Sequence, residues 1–127
     1  MKIAIATKDF ETVCGHAGQT RQWLLYDCLP GRPIPEPTRI ALTQEQLPHH
    51  FEGDGPHPLR GVDIVVAGSA GGDDIRRMAG WGAQVLLTGE TSPRAALDKI
   101  LAGEALPDTR FDPTTLLCKL RDLFSPH

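Results

Sequence analysis

A cysteine and a histidine lie two residues apart in the segment that follows the first apolar stretch of the chain. Cys14 and His16 stand in the sequence Cys-Gly-His-Ala-Gly. A thiolate and an imidazole are both ligands for transition metals, but a structural zinc site would need four such ligands. The pair therefore indicates either an open metal site or two residues that pack within a loop. Further histidines precede the fourth predicted strand, at His49, His50 and His57.

A glycine-rich turn is the second feature with binding chemistry. An apolar run over residues 62–67 leads directly into Gly-Ser-Ala-Gly-Gly, and a helical pattern begins at Asp73. Glycines allow backbone N–H groups to converge on an anion, and a helix N-terminus adds partial positive charge. Turns of this kind also occur in α/β proteins without binding anything. The candidate anion-binding residues are Gly68, Ser69, Gly71 and Gly72.

Catalytic patterns are weak in this sequence. A nucleophilic Cys14 or Ser69 would need an adjacent base and a carboxylate that orients the base. His16 could serve Cys14 as the base, but no local pattern supplies the carboxylate. A two-metal nuclease would need several converging carboxylates, whereas the sequence offers only Asp9, Asp63 and Asp73 near strand ends, and Asp27 in the second strand. We therefore expect that the protein is not an enzyme.

The elements that must position these residues follow an α/β pattern. Apolar and β-branched runs predict five strands, over residues 2–7, 21–28, 38–43, 62–67 and 83–88. Helical spacing predicts three helices, which begin near residues 73, 93 and 113, and a helical turn is expected near residues 44–50. No helix separates the first three strands, so we expect antiparallel neighbours there and a five-stranded mixed sheet of order 3-2-1-4-5. With helices on both faces, this is the ribonuclease H-like motif.

This topology places the two binding features side by side. If the first and fourth strands are parallel neighbours, the Cys14–His16 loop and the turn at residues 68–72 both follow the carboxyl ends of adjacent strands. Ligand crevices of open α/β sheets form at that edge. The sequence therefore predicts that Cys14, His16 and the glycine turn face one site.

Length and composition limit the remaining possibilities. The chain has 127 residues, three cysteines and a net charge of −3. One domain is expected, and the lack of an evident basic face disfavours a nucleic-acid partner. The odd cysteine count and the strand that begins at Lys2 favour a reducing compartment, and no apolar run reaches the length of a membrane span. We expect a cytoplasmic protein that binds neither nucleic acids nor membranes.

Several short segments occur in an order that is typical of one known family. The first strand is followed by His16-Ala17-Gly18, by an aromatic strand, by the strand and turn of residues 62–72, and by a helix that ends before Gly103. Over residues 1–106 the chain thereby resembles the dinitrogenase iron–molybdenum cofactor biosynthesis family. This is the NifX and NafY type, which is also found as the C-terminal domain of NifB. Ala17 stands where the family usually has phenylalanine, a difference expected to affect the pocket wall.

The resemblance implies a non-enzymatic protein that transiently binds the iron–molybdenum cofactor, or an iron–sulfur precursor cluster, during nitrogenase cofactor assembly. It implies a cluster-donating scaffold and apo-nitrogenase proteins as partners. Through the His-x-Gly match it makes His16 the metal ligand. Cys14, the thiol two residues earlier, is a candidate second ligand. Arginines can add charge-assisted hydrogen bonds to an anionic cluster, and the candidates are Arg21, Arg76 and Arg77.

The end of the chain lies outside the resemblance. We predict a cofactor-binding domain over residues 1–106 and a helical extension over residues 107–127. The predicted helix at residues 113–124 is strongly amphipathic, so it would pack on the core or on a partner. This surface supports an alternative function, that of a regulatory or protein-interaction module without a bound cluster.

Overall fold

A mixed β-sheet with two α-helices forms the described part of the chain. The computed structural model describes residues 1–13, 15–29, 32–48 and 57–102. The strands are β1 (Lys2–Lys8), β2 (Thr12–Val13), β3 (Gln22–Asp27), β4 (Thr38–Ala41), β5 (Ile64–Ala67) and β6 (Gln84–Leu87). The helices are α1 (Gly72–Gly80) and α2 (Pro93–Leu101), and a short 3₁₀ helix spans Gln44–Gln46.

Strand β1 lies at the centre of the sheet. It pairs antiparallel with β3 and parallel with β5, while β3 pairs antiparallel with β4 and β5 pairs parallel with β6. The helix α1 connects β5 to β6, as a parallel connection requires, whereas the described residues between β3 and β4 contain no helix. The carboxyl ends of β1, β5 and β6 therefore lie at one edge of the sheet.

Within the described residues the sheet has six strands, so the prediction of five is wrong by one. Asp9 and Phe10 adopt positive φ angles of 57° and 64°, and they turn the chain back so that Thr12 and Val13 pair with the end of β1. The observed order is β4-β3-β1-β5-β6 with β2 beside β1, and it differs from the five-stranded order 3-2-1-4-5 by this additional strand. Two residues are too few to show the alternation by which strands are predicted.

Alternate residues of β1 enter two separate hydrophobic clusters on opposite faces of the sheet. Ile3 and Ile5 pack in the cluster that includes the buried side of α2, from Ala96 to Ile100. Ala4 and Ala6 pack in the other cluster, which includes Met78 of α1 and the fully buried Trp23. Since successive strand residues point to opposite faces, the two helices cover opposite faces of the sheet.

Some predicted features fall outside the described residues. These are Cys14, His49, His50 and the amphipathic segment at residues 113–124, and with it the boundary between residues 106 and 107. Along residues 1–13, 15–29, 32–48 and 57–102, no helix combines the length and apolarity that a membrane crossing requires.

Candidate functional site

The loop that contains His16 is joined by hydrogen bonds to the turn that follows β5. Ala17 donates its backbone N–H to the Ser69 carbonyl across 2.8 Å. Both Gly68 and Ser69 donate to the Gly15 carbonyl, across 3.1 and 3.3 Å. Together they form an isolated parallel bridge between His16 and Ser69, outside the named strands. The structure thus brings His16 and the glycine turn together at the carboxyl edge of the sheet.

The imidazole of His16 is held by its own loop. Gly18 donates its backbone N–H to Nδ1 across 3.1 Å, and the His16 carbonyl accepts bonds from the N–H and the hydroxyl of Thr20. Because Nδ1 accepts a hydrogen bond, the neutral ring carries its proton on Nε2. No hydrogen bond to Nε2 occurs within the described part of the chain, and the side chain is 36% exposed. The Nε2 edge therefore faces accessible space.

A buried carboxylate lies behind the same ring. Asp74 is the third residue of α1 and its side chain is only 3% exposed. Its Oδ2 lies 3.7 Å from Nδ1 of His16, and its Oδ1 lies 4.0 Å from a guanidinium nitrogen of Arg77. The sequence analysis did not select Asp74. A signal was present, because Asp74 precedes the buried Met78 by four residues and therefore lies on the buried face of the helix.

The carboxylate of Asp74 leaves no room for a side chain at position 18. A Cβ atom at Gly18 would lie 2.3 Å from Oδ2 of Asp74, closer than any side chain tolerates. Gly15 has a different reason to be glycine, since its φ is +93° and L-residues with a Cβ atom rarely adopt that conformation. The two glycines of the loop thus allow the chain to pass close to α1 and to turn sharply.

The N-terminus of α1 borders the exposed edge of His16. The N-cap residue is Gly71, so no side chain caps the helix, and a Cβ at Gly71 would lie 3.8 Å from Nε2 of His16. The N–H groups of Gly71 and Gly72 make no hydrogen bond within the described residues, whereas those of Gly68 and Ser69 are bonded to Gly15. The amides that remain available to an anion are therefore those at the helix start.

The predicted arginines differ in their surroundings. Arg76 forms an exposed ion pair with Asp73. Arg77 donates to the Pro48 carbonyl and approaches Asp74. Arg21 is exposed, and no hydrogen bond or ion pair among the described residues joins its guanidinium to His16 or to the glycine turn. Of the three, Arg21 keeps its charge available without a described ion-pair partner.

Both ring nitrogens of His57 form hydrogen bonds with nearby backbone groups. Its Nδ1 accepts the Leu59 N–H across 3.0 Å, and its Nε2 donates to the Gln46 carbonyl. The ring lies 4.8 Å from that of Trp81, and burial lowers the pKa of His57 below its usual 6.5. Because both ring nitrogens are engaged, His57 serves the fold and lacks a free nitrogen for a metal.

A second concavity lies on the α2 face of the sheet. It has a volume of about 400 Å³, with Tyr26 in its lining and the side chains of Arg39, Arg94, Glu11 and Glu36 around it. Its charges are of both signs, and it does not include His16. Within the described ranges, no three His, Cys, Asp or Glu side chains converge as a metal-binding group. Among these residues, His16 beside the start of α1 is the best-placed candidate for a single metal ligand.

Comparison with known proteins gives both a family and a fold. A sequence profile described as "Dinitrogenase iron-molybdenum cofactor" matches residues 1–103. No curated protein matches the chain. The crystal structure of PH0822 superimposes with a TM-score of 0.61 and 19% identity, and the match covers 88% of this chain and 96% of that one. The NMR structure of a proposed NifB protein from Thermotoga (TM1290), of the DUF35 family, has a TM-score of 0.57 and 19% identity, covering 87% and 96%.

The two solved structures share the fold, and the profile carries the family assignment. At 19% identity a structural match speaks for the fold alone. The profile match, in contrast, spans most of the chain and includes the His16 loop, the glycine turn and both helices. This chain therefore belongs to the dinitrogenase iron–molybdenum cofactor family, as the order of its segments indicates.

Proposed function

We propose that this protein is a non-enzymatic carrier, which transiently binds the iron–molybdenum cofactor or an iron–sulfur precursor cluster and passes it on during nitrogenase cofactor assembly. His16 is the metal ligand. The observation that carries this proposal is the exposed Nε2 edge of His16 beside the uncapped N-terminus of α1. The family membership of residues 1–103 gives the class of cargo.

The chemistry of the cargo suits this arrangement. Such a cluster is large and anionic, so one imidazole can anchor a metal while backbone N–H groups hold the charge. The amides of Gly71 and Gly72 are the donors for this purpose, and the partial positive charge of the helix end acts in the same direction. Gly68 and Ser69 contribute indirectly, because their amides fix Gly15 and with it the His16 loop. Because the site has only a small number of strong ligands, the cluster can also be released to the next protein.

Two further residues complete the proposed site. Cys14 is a second ligand, two residues before His16 and outside the described residues. Arg21 attracts the anionic cluster from a distance, since its guanidinium is exposed. An attraction of this kind is screened over a Debye length of about 10 Å at 0.1 M salt. The contribution of Arg21 to cluster uptake should therefore decrease as salt is added.

The remaining features are assigned on the same basis. We infer that residues 1–106 form the cofactor-binding domain, with the ribonuclease H-like motif, and that residues 107–127 form a helical extension. The antiparallel β4-β3-β1 half and the parallel β1-β5-β6 half, with one helix on each face, support that motif. The partners are a cluster-donating scaffold and apo-nitrogenase, and the compartment is the cytoplasm.

The test is an anaerobic titration of the full chain with isolated iron–molybdenum cofactor, followed by the visible absorption of the cluster. We expect stoichiometric uptake by the wild type and strongly weakened uptake by His16→Ala. Gln19→Ala is the matched control, because this neighbour is exposed and its side chain makes no hydrogen bond within the described residues, while its backbone N–H bonds to the His16 carbonyl. Lack of uptake by the wild type would overturn the carrier function and favour the interaction module. Equal uptake by the wild type and His16→Ala would overturn the role of His16.

A further inference from the structure

We propose that Asp74 is a positioning residue for His16, whose carboxylate accepts the Nδ1 proton of the imidazole when Nε2 binds a metal of the cluster. This inference rests on the proposed function and adds a hydrogen-bond partner for the metal ligand His16. Its basis is the juxtaposition of a buried carboxylate and a half-exposed imidazole, with Oδ2 lying 3.7 Å from Nδ1.

The first step concerns the hydrogen bond that His16 makes without cargo. Gly18 donates its N–H to Nδ1, so the neutral ring holds its single proton on Nε2. A metal binds imidazole through a nitrogen lone pair, and ligation through Nε2 therefore moves the proton to Nδ1. Two N–H groups, of Gly18 and of His16, would then point at each other. The hydrogen bond to Gly18 is lost on loading, and Nδ1–H needs a new acceptor.

The second step identifies that acceptor. Oδ2 of Asp74 lies 3.7 Å from Nδ1, whereas an N–H to carboxylate bond spans about 2.7–2.9 Å. A movement of the ring by about 1 Å would close that difference. The side chain of His16 is 36% exposed, which leaves room for such a movement. Metal-bound histidines regularly donate their other N–H to a carboxylate, which fixes the orientation of the ring.

The third step concerns the location of the carboxylate. A buried carboxylate is expensive in free energy unless its surroundings compensate for it. Asp74 is 3% exposed, and the positive end of α1 and the guanidinium of Arg77, 4.0 Å from Oδ1, both favour its negative charge. The absence of a side chain at Gly18 leaves the space that the carboxylate fills. The preceding residue, Asp73, is 85% exposed and forms its ion pair with Arg76.

The experiment measures the affinity of four variants for isolated iron–molybdenum cofactor under anaerobic conditions. Asp74→Asn keeps the size of the side chain and removes the anionic acceptor, and Asp73→Asn is the matched control on the adjacent residue. We expect Asp74→Asn to bind about 10- to 100-fold more weakly, as is typical when the outer partner of a metal-bound histidine is removed. Asp73→Asn should stay close to the wild type.

A double-mutant cycle separates positioning from a structural effect. If Asp74 acts through His16, then Asp74→Asn has no further effect in the His16→Ala background. A further loss in that background would overturn the inference, as would wild-type affinity of Asp74→Asn. Lack of uptake by the wild type would instead overturn the proposed function, so the two failures are distinguishable.

A second measurement uses the wild type alone and does not depend on the folding of any variant. The NMR cross-peak of the Gly18 amide is followed while Zn²⁺ is added as a diamagnetic probe of His16. We expect the Gly18 amide proton to shift upfield as its bond to Nδ1 is lost, while the ring proton appears on Nδ1. Ligation of His16 with an unchanged Gly18 amide would contradict the rearrangement.

Discussion

Gly18 donates its backbone N–H to Nδ1 of His16, a residue only two positions earlier in the chain, across 3.1 Å. The bond turns the Nε2 edge of the ring toward Gly71 at the start of α1 and places Nδ1 beside the carboxylate of Asp74. Loop, helix start and carboxylate therefore form one unit, and substitutions in any of the three should have distinct, measurable effects.

Replacement of Gly18 by alanine should destabilise the protein. The new Cβ would lie 2.3 Å from Oδ2 of Asp74, and forcing a methyl group into a well-packed site typically costs about 1–3 kcal/mol. Gly80→Ala is the control, since nothing lies within 4 Å of its Cβ position at the end of α1. That control should be neutral or slightly stabilising. Urea unfolding of both variants checks this, and equal stability of the two would contradict the observed contact.

A charge placed at the start of α1 should weaken cluster uptake. Gly71 has φ −77° and ψ 158°, a conformation that any residue adopts, and its Cβ position has room. Gly71→Asp would put a carboxylate where the anionic cluster is proposed to bind, whereas Gly71→Asn caps the helix without charge. We expect uptake of isolated iron–molybdenum cofactor to fall several-fold more in Gly71→Asp than in Gly71→Asn. An identical effect of both would argue against an anion at this helix end.

His57 should make the protein less stable in mild acid. Burial lowers the pKa of its imidazole below 6.5 in the folded protein, so the unfolded chain binds the proton more readily. The stabilisation is complete above about pH 6.5 and is lost as the pH falls through the folded pKa. The unfolding free energy, measured by urea between about pH 8 and pH 5, should decrease less steeply in His57→Gln than in the wild type. Parallel curves would show that His57 does not titrate with folding.

A large side chain at position 17, between His16 and Gly18, should destabilise the protein. The family resemblance suggests an aromatic residue there, in the wall of a pocket. Ala17 is instead completely buried, in the cluster that packs under α1. Ala17→Phe should therefore lower the stability by about 1–3 kcal/mol through overpacking. Ala79→Phe, on the exposed side of α1, should change stability by about 0.5 kcal/mol or less. Thermal unfolding of both variants distinguishes a core position from a pocket wall.

Local sequence patterns predicted the main strands well because β-branched runs are strong signals. The strand ends were predicted less accurately, because local hydrogen-bonded turns lie beside them. β5 starts at Ile64 and not at residue 62, because the Val62 N–H turns back to the Leu59 carbonyl. β4 ends at Ala41 because Thr43 begins the capping box of the 3₁₀ helix. The pattern of polar and apolar residues, from which the strands were predicted, shows neither the turn before β5 nor the capping box after β4.

The candidate site was predictable only in outline. That His16 lies beside the glycine turn follows from the parallel pairing of β1 with β5, which the order of elements predicts. That Gly68 and Ser69 donate to Gly15 depends on how two loops meet, which no local pattern encodes. The same holds for the approach of Asp74 to His16. Sequence therefore indicated His16 as a candidate ligand, whereas the partners of its side chain required the structure.

The most direct test of the carrier function measures the molybdenum content of the chain before and after contact with an acceptor. The protein is loaded anaerobically with isolated iron–molybdenum cofactor, separated from free cofactor by gel filtration, and then mixed with cofactor-deficient nitrogenase. We predict stoichiometric molybdenum on the wild type before mixing, strong depletion afterwards, and little loading of His16→Ala. A wild-type chain that emerges from gel filtration without molybdenum, or that retains it in the presence of the acceptor, would contradict the proposal.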